Sequence, residues 1–143
     1  MSAPRYFEDV HQGDALPVVV VERLTRTDLV RYAGASGDFN PIHHDEEFAR
    51  AAGNPGVFGH GMLTAGLVAR CITDFVGAPN LRRYKVRFAT RVWPGDTITC
   101  TGKVTRTYEA DGEHRIDGEV TAVTQKGETA VTGAFTAVLP GRI

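Results

Sequence analysis

Two short stretches hold the residue types that could do chemistry. The first reads Ser36-Gly37-Asp38-Phe39-Asn40-Pro41-Ile42-His43 and sets a carboxylate and an imidazole five positions apart. Pro41 lacks an N–H and drives Asn40 out of the α region, while Gly37 permits a turn, so the segment is expected to be neither helix nor strand. The second reads Phe58-Gly59-His60-Gly61-Met62-Leu63-Thr64-Ala65-Gly66, a glycine opening an apolar run. A histidine has an ordinary pKa near 6.5 and suits proton transfer at neutral pH. Gly61, at a helix start, can present an unpaired N–H reinforced by the helix dipole. An acid/base pair on a rigid turn, opposite such a start, points to chemistry on a carbonyl compound.

Other combinations fail on spacing. Ser36 in Gly34-Ala35-Ser36-Gly37 misses the nucleophile-elbow pattern. Gly59-His60-Gly61 lacks the third glycine of a dinucleotide loop, because Thr64 stands there, and no cofactor is expected. His43, His44 and Asp45 are consecutive, and neighbours in sequence rarely converge on one ion, so no metal is expected either. His60 reads as a buried hydrogen-bonder, on the substrate side of the site, rather than an acid or base. Asn40 shapes its turn and stands where it could touch ligand. Arg83, Lys85 and Arg87 share one strand face, with Arg82 and Arg91 nearby. That row is either a solvated face or a landing strip for the phosphates of coenzyme A or a carrier protein, with Arg83 and Arg87 as the substrate-binding pair.

The elements that must position these residues follow from patterning. A β-branched run predicts a strand over Val18–Leu24. Thr25 and Asp28 form a capping box for a short helix bearing Leu29, Tyr32 and Ala33, ended by Gly34 and Gly37. Asp45 caps a second helix from Glu46 to Ala52. From Gly61 to Val76 comes a helix apolar on nearly every side, its only charges Arg70 and Asp74, so it must be wrapped rather than merely docked. After Pro79 the chain alternates with period two, turning at Pro94-Gly95-Asp96, Asp111-Gly112 and Lys126-Gly127-Glu128. An α+β fold follows, an antiparallel sheet curved around one central hydrophobic helix. Gly102, Gly118, Gly133 and Ala137 are expected on its inner face, leaving room for that helix.

Composition bounds the rest. The chain has 143 residues, 42% hydrophobic and 23% charged, with net charge −1. That is one soluble globular domain over residues 1–143, with nothing pointing to nucleic acid or a membrane surface. Met1–Asp9 carries no apolar core of an export signal. Cys71 and Cys100 read as buried free thiols, so a cytoplasmic protein is expected.

The stretch Gly37-Asp38-Phe39-Asn40-Pro41-Ile42-His43, Ala49 beyond it, the block His60-Gly61-Met62-Leu63 and the strand Val86-Arg87-Phe88 resemble the MaoC-like dehydratases, the (R)-specific enoyl-thioester hydratases. The likeness extends to catalytic 3-hydroxyacyl-thioester dehydratase subunits of actinobacterial fatty-acid or mycolic-acid elongation. It implies a hot-dog fold working as a homodimer, or as a heterodimer with a related subunit, with the site near the subunit interface. It also implies reversible addition of water to a trans-2-enoyl thioester of coenzyme A or acyl carrier protein. Asp38 and His43 would act on one water, and the Gly61 N–H would hold the thioester oxygen. Some members carry a serine where Ala69 stands here. Two rival readings remain: an acyl-thioester thioesterase on the same fold, and a non-catalytic acyl-binding subunit of a heteromeric dehydratase.

Overall fold

The computed structural model describes residues 5–143; the first four residues of the Met1–Asp9 stretch lie outside them. Five antiparallel strands form one sheet in the order β1-β3-β4-β5-β2: β1 (Val19–Val21), β2 (Leu81–Phe88), β3 (Ile98–Ala110), β4 (Glu113–Thr124) and β5 (Thr129–Val138). Three helices precede β2: α1 (Arg26–Ser36), α2 (Glu46–Ala51) and α3 (Gly61–Val76). Helix α3 lies in the concave face of the sheet, in the hot-dog arrangement. Val68, Cys71, Ile72, Phe75 and Val76 pack there against Cys100, Ile116, Val120 and Phe135. Tyr84 ties edge strand β2 to the helix by donating its hydroxyl to the Ala65 carbonyl at 2.7 Å. Burial pushes that phenol up to about 12. Among the described residues no helix is long and apolar enough to cross a membrane.

The hairpin at Asp111-Gly112 and the boundaries of α3 stand where the pattern sets them. Four expectations need correction. The first strand is only Val19–Val21, because Arg23 turns the chain with φ 50° and Leu24 N–H bonds the Asp96 carbonyl instead of the sheet. Helix α1 runs through Gly34 to Ser36, since Gly34 keeps helical dihedrals and only Gly37, at φ 76°, leaves them. Helix α2 likewise stops one residue early, at Ala51.

The fourth concerns α3 and the glycines. The helix is wrapped on one side only: Met62 is 59% exposed, and Gly66, Arg70 and Asp74 continue that open face. Gly102, Gly118 and Gly133 lie on the inner face as expected, but the room they leave is filled by the sheet's own side chains rather than by the helix. A Cβ on Gly118 would collide with the Phe135 ring, and one on Gly102 would lie 2.7 Å from Val120. Both obstacles are cross-strand neighbours, so the glycines let large side chains fold over the pleat of a tightly coiled sheet.

Candidate active site

The segment carrying Asp38 is built from short-range hydrogen bonds. Ser36 Oγ donates to the Tyr32 carbonyl at 2.7 Å and accepts the Asp38 N–H at 3.2 Å. The Asp38 carboxylate accepts the Asn40 N–H at 3.2 Å, and Asn40 Oδ1 accepts the Ile42 N–H at the same distance. Asn40 therefore shapes the turn, with the extended ψ of 123° that a following proline demands. Pro41 then starts a single 3-10 turn, Pro41–His43, where the sequence reading expected no helix of any kind. A proline at the first helical position gives up an N–H that would have no partner there, so the turn forms at little cost.

That turn swings His43 inward while Asp38 stays at the surface: His43 is 7% exposed and Asp38 is open. Nδ1–H of His43 donates to the Phe58 carbonyl at 2.6 Å. With Nδ1 occupied as donor, Nε2 carries the free lone pair, the state a general base requires. The Phe58 ring meets His43 edge-on, with centroids 5.2 Å apart.

His60 completes the cluster from the other side. Its ring stacks on His43 with centroids 3.8 Å apart and planes 25° apart, and Tyr32 meets it edge-on at 4.8 Å. His60 Nε2 lies 3.2 Å from the Asp38 carbonyl, which can only accept, so Nε2 holds the proton and Nδ1 the lone pair. Burial lowers the His60 pKa below its ordinary value, more strongly than the Asp38 carbonyl raises it, and keeps the ring neutral. Sandwiched in this way, His60 is only 2% exposed and lies behind the His43 ring. Asp38, His43 and His60 each offer an atom within 4.8 Å of the others. Nearly parallel imidazoles send their in-plane lone pairs side by side rather than onto one ion, and one nitrogen of each is held by a carbonyl. The arrangement suits proton transfer better than metal binding.

The start of α3 follows His60 directly. His60 is its N-cap and supplies no side-chain acceptor to the first N–H groups. Beside Gly61 lies a cavity of about 200 Å³ lined by Phe58, Thr64, Phe88, Arg91 and Val131 among others. A Cβ on Gly61 would come within 3.0 Å of the Phe88 ring, so the glycine gives room to that aromatic side chain. Phe88 reads in sequence as an alternating strand residue and as part of the Val86-Arg87-Phe88 strand of the resemblance; it stands at the last pair of β2, opposite Val131, and is 51% exposed. Arg91, noted only as a neighbour of the basic row, sits over the Phe58 ring at 4.7 Å and borders the cavity.

Asp38, His43 and His60 thus come together, with Asn40 on the same turn and Gly61 next to His60 in the chain. Arg83 and Arg87 do not join them. They occupy the side of β2 opposite Tyr84 and Phe88, on the outer face of the sheet. There, with Lys85, they line hollows that also hold Asp117 and Glu119.

Residues 8–128 match the family described as MaoC like domain. The chain is 28% identical over 139 residues to the "(R)-specific enoyl-CoA hydratase" of Rhodospirillum rubrum, covering 96% of this chain and 93% of that one. It is 42% identical over 76 residues to "3-hydroxyacyl-thioester dehydratase X" of Mycobacterium tuberculosis, covering 53% of this chain and 26% of the relative. It spans little more than a quarter, 28%, of the Arabidopsis thaliana "Enoyl-CoA hydratase 2, peroxisomal". Among solved structures, the (R)-hydratase from A. caviae involved in PHA biosynthesis superposes with TM-score 0.79 at 26% identity, over 93% of this chain and 99% of that one. A chain of the ChsH1-ChsH2 complex from Mycobacterium tuberculosis superposes with TM-score 0.79 at 27% identity, over 90% of this chain and 98% of that one.

Proposed function

The chain belongs to the family of MaoC-like domains, and on that premise we propose that Asp38 and His43 form the working pair of an (R)-specific enoyl-thioester hydratase, or 3-hydroxyacyl-thioester dehydratase. It is a hydro-lyase that adds water reversibly across C2 and C3 of a trans-2-enoyl thioester. The observation that carries the residue assignment is the meeting of an exposed carboxylate and a tautomer-fixed imidazole within 4.8 Å of each other and of His60, whose chain neighbour Gly61 opens an uncapped helix beside a cavity.

The chemistry follows from those positions. A water lies between the Asp38 carboxylate and His43 Nε2. Its oxygen bonds to C3 as the C2–C3 π electrons shift toward the thioester carbonyl. The resulting enolate oxygen is steadied by the Gly61 N–H, aligned with the helix dipole in a partly water-excluded cleft. The pair takes one proton from water and delivers one to C2, so each turnover leaves it unchanged. Dehydration runs the same steps backwards.

Phe39, Met62 and Phe88, each more than half exposed, stand on or beside this site, and β2 has a strand on one side only. A second subunit covering them would shield the carboxylate from bulk water. This supports a homodimer, or a heterodimer with a related subunit. Arg91 is the cation nearest the cavity and a better candidate for a coenzyme A or carrier-protein phosphate within one subunit. Arg83 and Arg87 could reach that ligand only from outside the sheet. The buried free thiols Cys71 and Cys100 support a cytoplasmic setting.

The test is an assay of purified protein on trans-2-enoyl thioesters of graded chain length, following enoyl absorbance and free thiol separately. Loss of absorbance without thiol is expected. Release of thiol would instead establish a thioesterase, and binding without turnover, alone or with a related subunit, would leave only an acyl-binding role.

A further inference from the structure

The ring of His60 is the one imidazole in the cluster that the hydration mechanism leaves without a task. It is also the residue that touches both members of the working pair. Its Nε2–H reaches the main-chain carbonyl of Asp38, and its face lies on His43. Only 2% of it is exposed, and Nδ1 has no hydrogen-bond partner among the described residues. A buried acceptor left unpaired is unfavourable by an amount comparable to a lost hydrogen bond, so a purely structural role would be filled better by an apolar ring. The arrangement makes sense if two properties are needed at once: a planar face and one directed N–H.

We propose that His60 is a positioning residue that sets both halves of the Asp38–His43 pair, holding the Asp38 turn by its Nε2–H and the plane of His43 by its neutral ring. This rests on the reading of Asp38 and His43 as that pair. The titratable groups around His60 are Tyr32 from α1, Asp38 from the turn, His43 from the 3-10 segment and His44 just after it. A neutral His60 matters because His43 must accept a proton during turnover, and a second positive ring 3.8 Å away would oppose it.

Two substitutions separate the two contacts. His60→Phe keeps a stackable ring and deletes the N–H; His60→Gln keeps a donor within reach of the Asp38 carbonyl and deletes the ring. Each is expected to lower kcat roughly tenfold, and His60→Ala on the order of a hundredfold, with KM changed less than about twofold, as misplacement of a reacting group should do. In ¹⁵N-imidazole NMR of the substrate-free protein, His43 is expected as a single Nδ1–H tautomer held by the Phe58 carbonyl in the parent, and as a tautomer mixture in His60→Gln and His60→Ala, where loss of the stacked face lets the ring turn away from that carbonyl. Folded variants that keep kcat within twofold would overturn the proposal. So would a loss carried by KM, or a His43 tautomer that ignores His60. The NMR arm needs no substrate. If the parent protein fails to hydrate any enoyl thioester, the functional reading falls while the positioning question is still decided.

Discussion

The two ends of α3 are built to opposite specifications. At the C-terminal end Cys71, Ile72, Phe75 and Val76 are buried, and the Thr73, Phe75 and Val76 carbonyls each receive a donor. Gly77 N–H bonds Thr73 O, Asn80 Nδ2 donates to Val76 O at 2.7 Å, and Arg5 Nε donates to Phe75 O at 3.1 Å. At the N-terminal end no side chain caps the helix, Met62 projects into solvent and a cavity opens beside Gly61. Helix ends leave backbone groups that something must satisfy. Here one end is closed by the protein itself and the other is left open, the end to which the proposed site is assigned. The lesson is that a single element can be scaffold and site at once, divided along its length. The division makes testable the claim that activity and stability are lost at different ends.

The sharpest break comes at the open end. Asp38→Asn and His43→Ala should each reduce kcat about 10²–10⁴-fold in a steady-state hydration assay, the range for losing a positioned proton-transfer group. Asp38 is exposed, so its variant should melt close to the parent temperature. If either variant keeps more than a tenth of the parent kcat, the N-terminal end is not where the chemistry sits.

The matching change at the closed end is Ile72→Ala. Ile72 is fully buried against the sheet, and truncating such a side chain removes about 2–5 kcal/mol of stability. Denaturant unfolding should show this loss, while kcat per folded molecule stays within a few-fold of the parent. A collapse of kcat in a folded Ile72→Ala protein would mean that the two ends are coupled and the division is wrong.

This division was partly legible in the sequence. The length of α3, its first residue and its apolar excess could be read from Gly61 to Val76, because helical periodicity and terminal glycines are local signals. So could the Asp38–His43 spacing, with Asn40-Pro41 fixing the turn between them. What escaped depends on packing between distant segments. The stacking of His60 on His43 joins residues 17 positions apart through the Phe58 carbonyl and the Asp38 main chain. No periodicity reports that. The role of Gly118 was misassigned for the same reason: its neighbour Phe135 lies on another strand. Arg83 and Arg87 were correctly placed on one face, but alternation alone cannot say whether that face meets the site or the solvent.

A smaller effect separates the two uses of Gly61. Gly61→Ala brings a methyl group to 3.0 Å from the Phe88 ring, so the ring must move and stability should drop by about 1 kcal/mol. Phe88→Ala in the same chain removes that obstacle and should recover the thermal midpoint. If kcat, expected to fall roughly tenfold in the single variant, stays low in the double variant, the substrate needs the bare backbone. Recovery of kcat as well would assign the glycine to Phe88 packing alone.

A pH experiment probes the boundary between the regions. His60 is held below its ordinary pKa by burial, so the unfolded chain binds its proton first as pH falls. Its contribution to stability is full above about pH 6.5, the ordinary value, and is lost as pH falls below it toward the folded-state value. Glu8, Asp28 and Glu46, all held low by hydrogen bonds, act in a separate window below the ordinary carboxylate range. The melting temperature should therefore decline between pH 7.5 and 5.5, and His60→Phe should flatten that decline. An unaltered slope would mean that another group carries it.

The weakest expected effect lies on the outer face of β2, as far from the inner-face chemistry as one strand allows. Arg83 and Arg87 point away from Tyr84 and Phe88 and share their hollows with Asp117 and Glu119, so part of their field is cancelled where they stand. Exposed charges of this kind contribute little, roughly 0–1 kcal/mol per pair. Reversing both, Arg83→Glu with Arg87→Glu, should leave kcat unchanged and raise KM for a coenzyme A thioester less than about threefold by that measure. A much larger rise confined to a carrier-protein thioester would make the row a protein-docking surface, because only a large acidic partner spans from the outer face to the mouth of the cavity. A large rise for coenzyme A itself would show that the outer face of one subunit borders the site of another, and the inner/outer division of β2 would have to be redrawn for the assembled enzyme. If neither substrate notices the change, the row is a solvated strand face and Arg91 remains as the cation of the site.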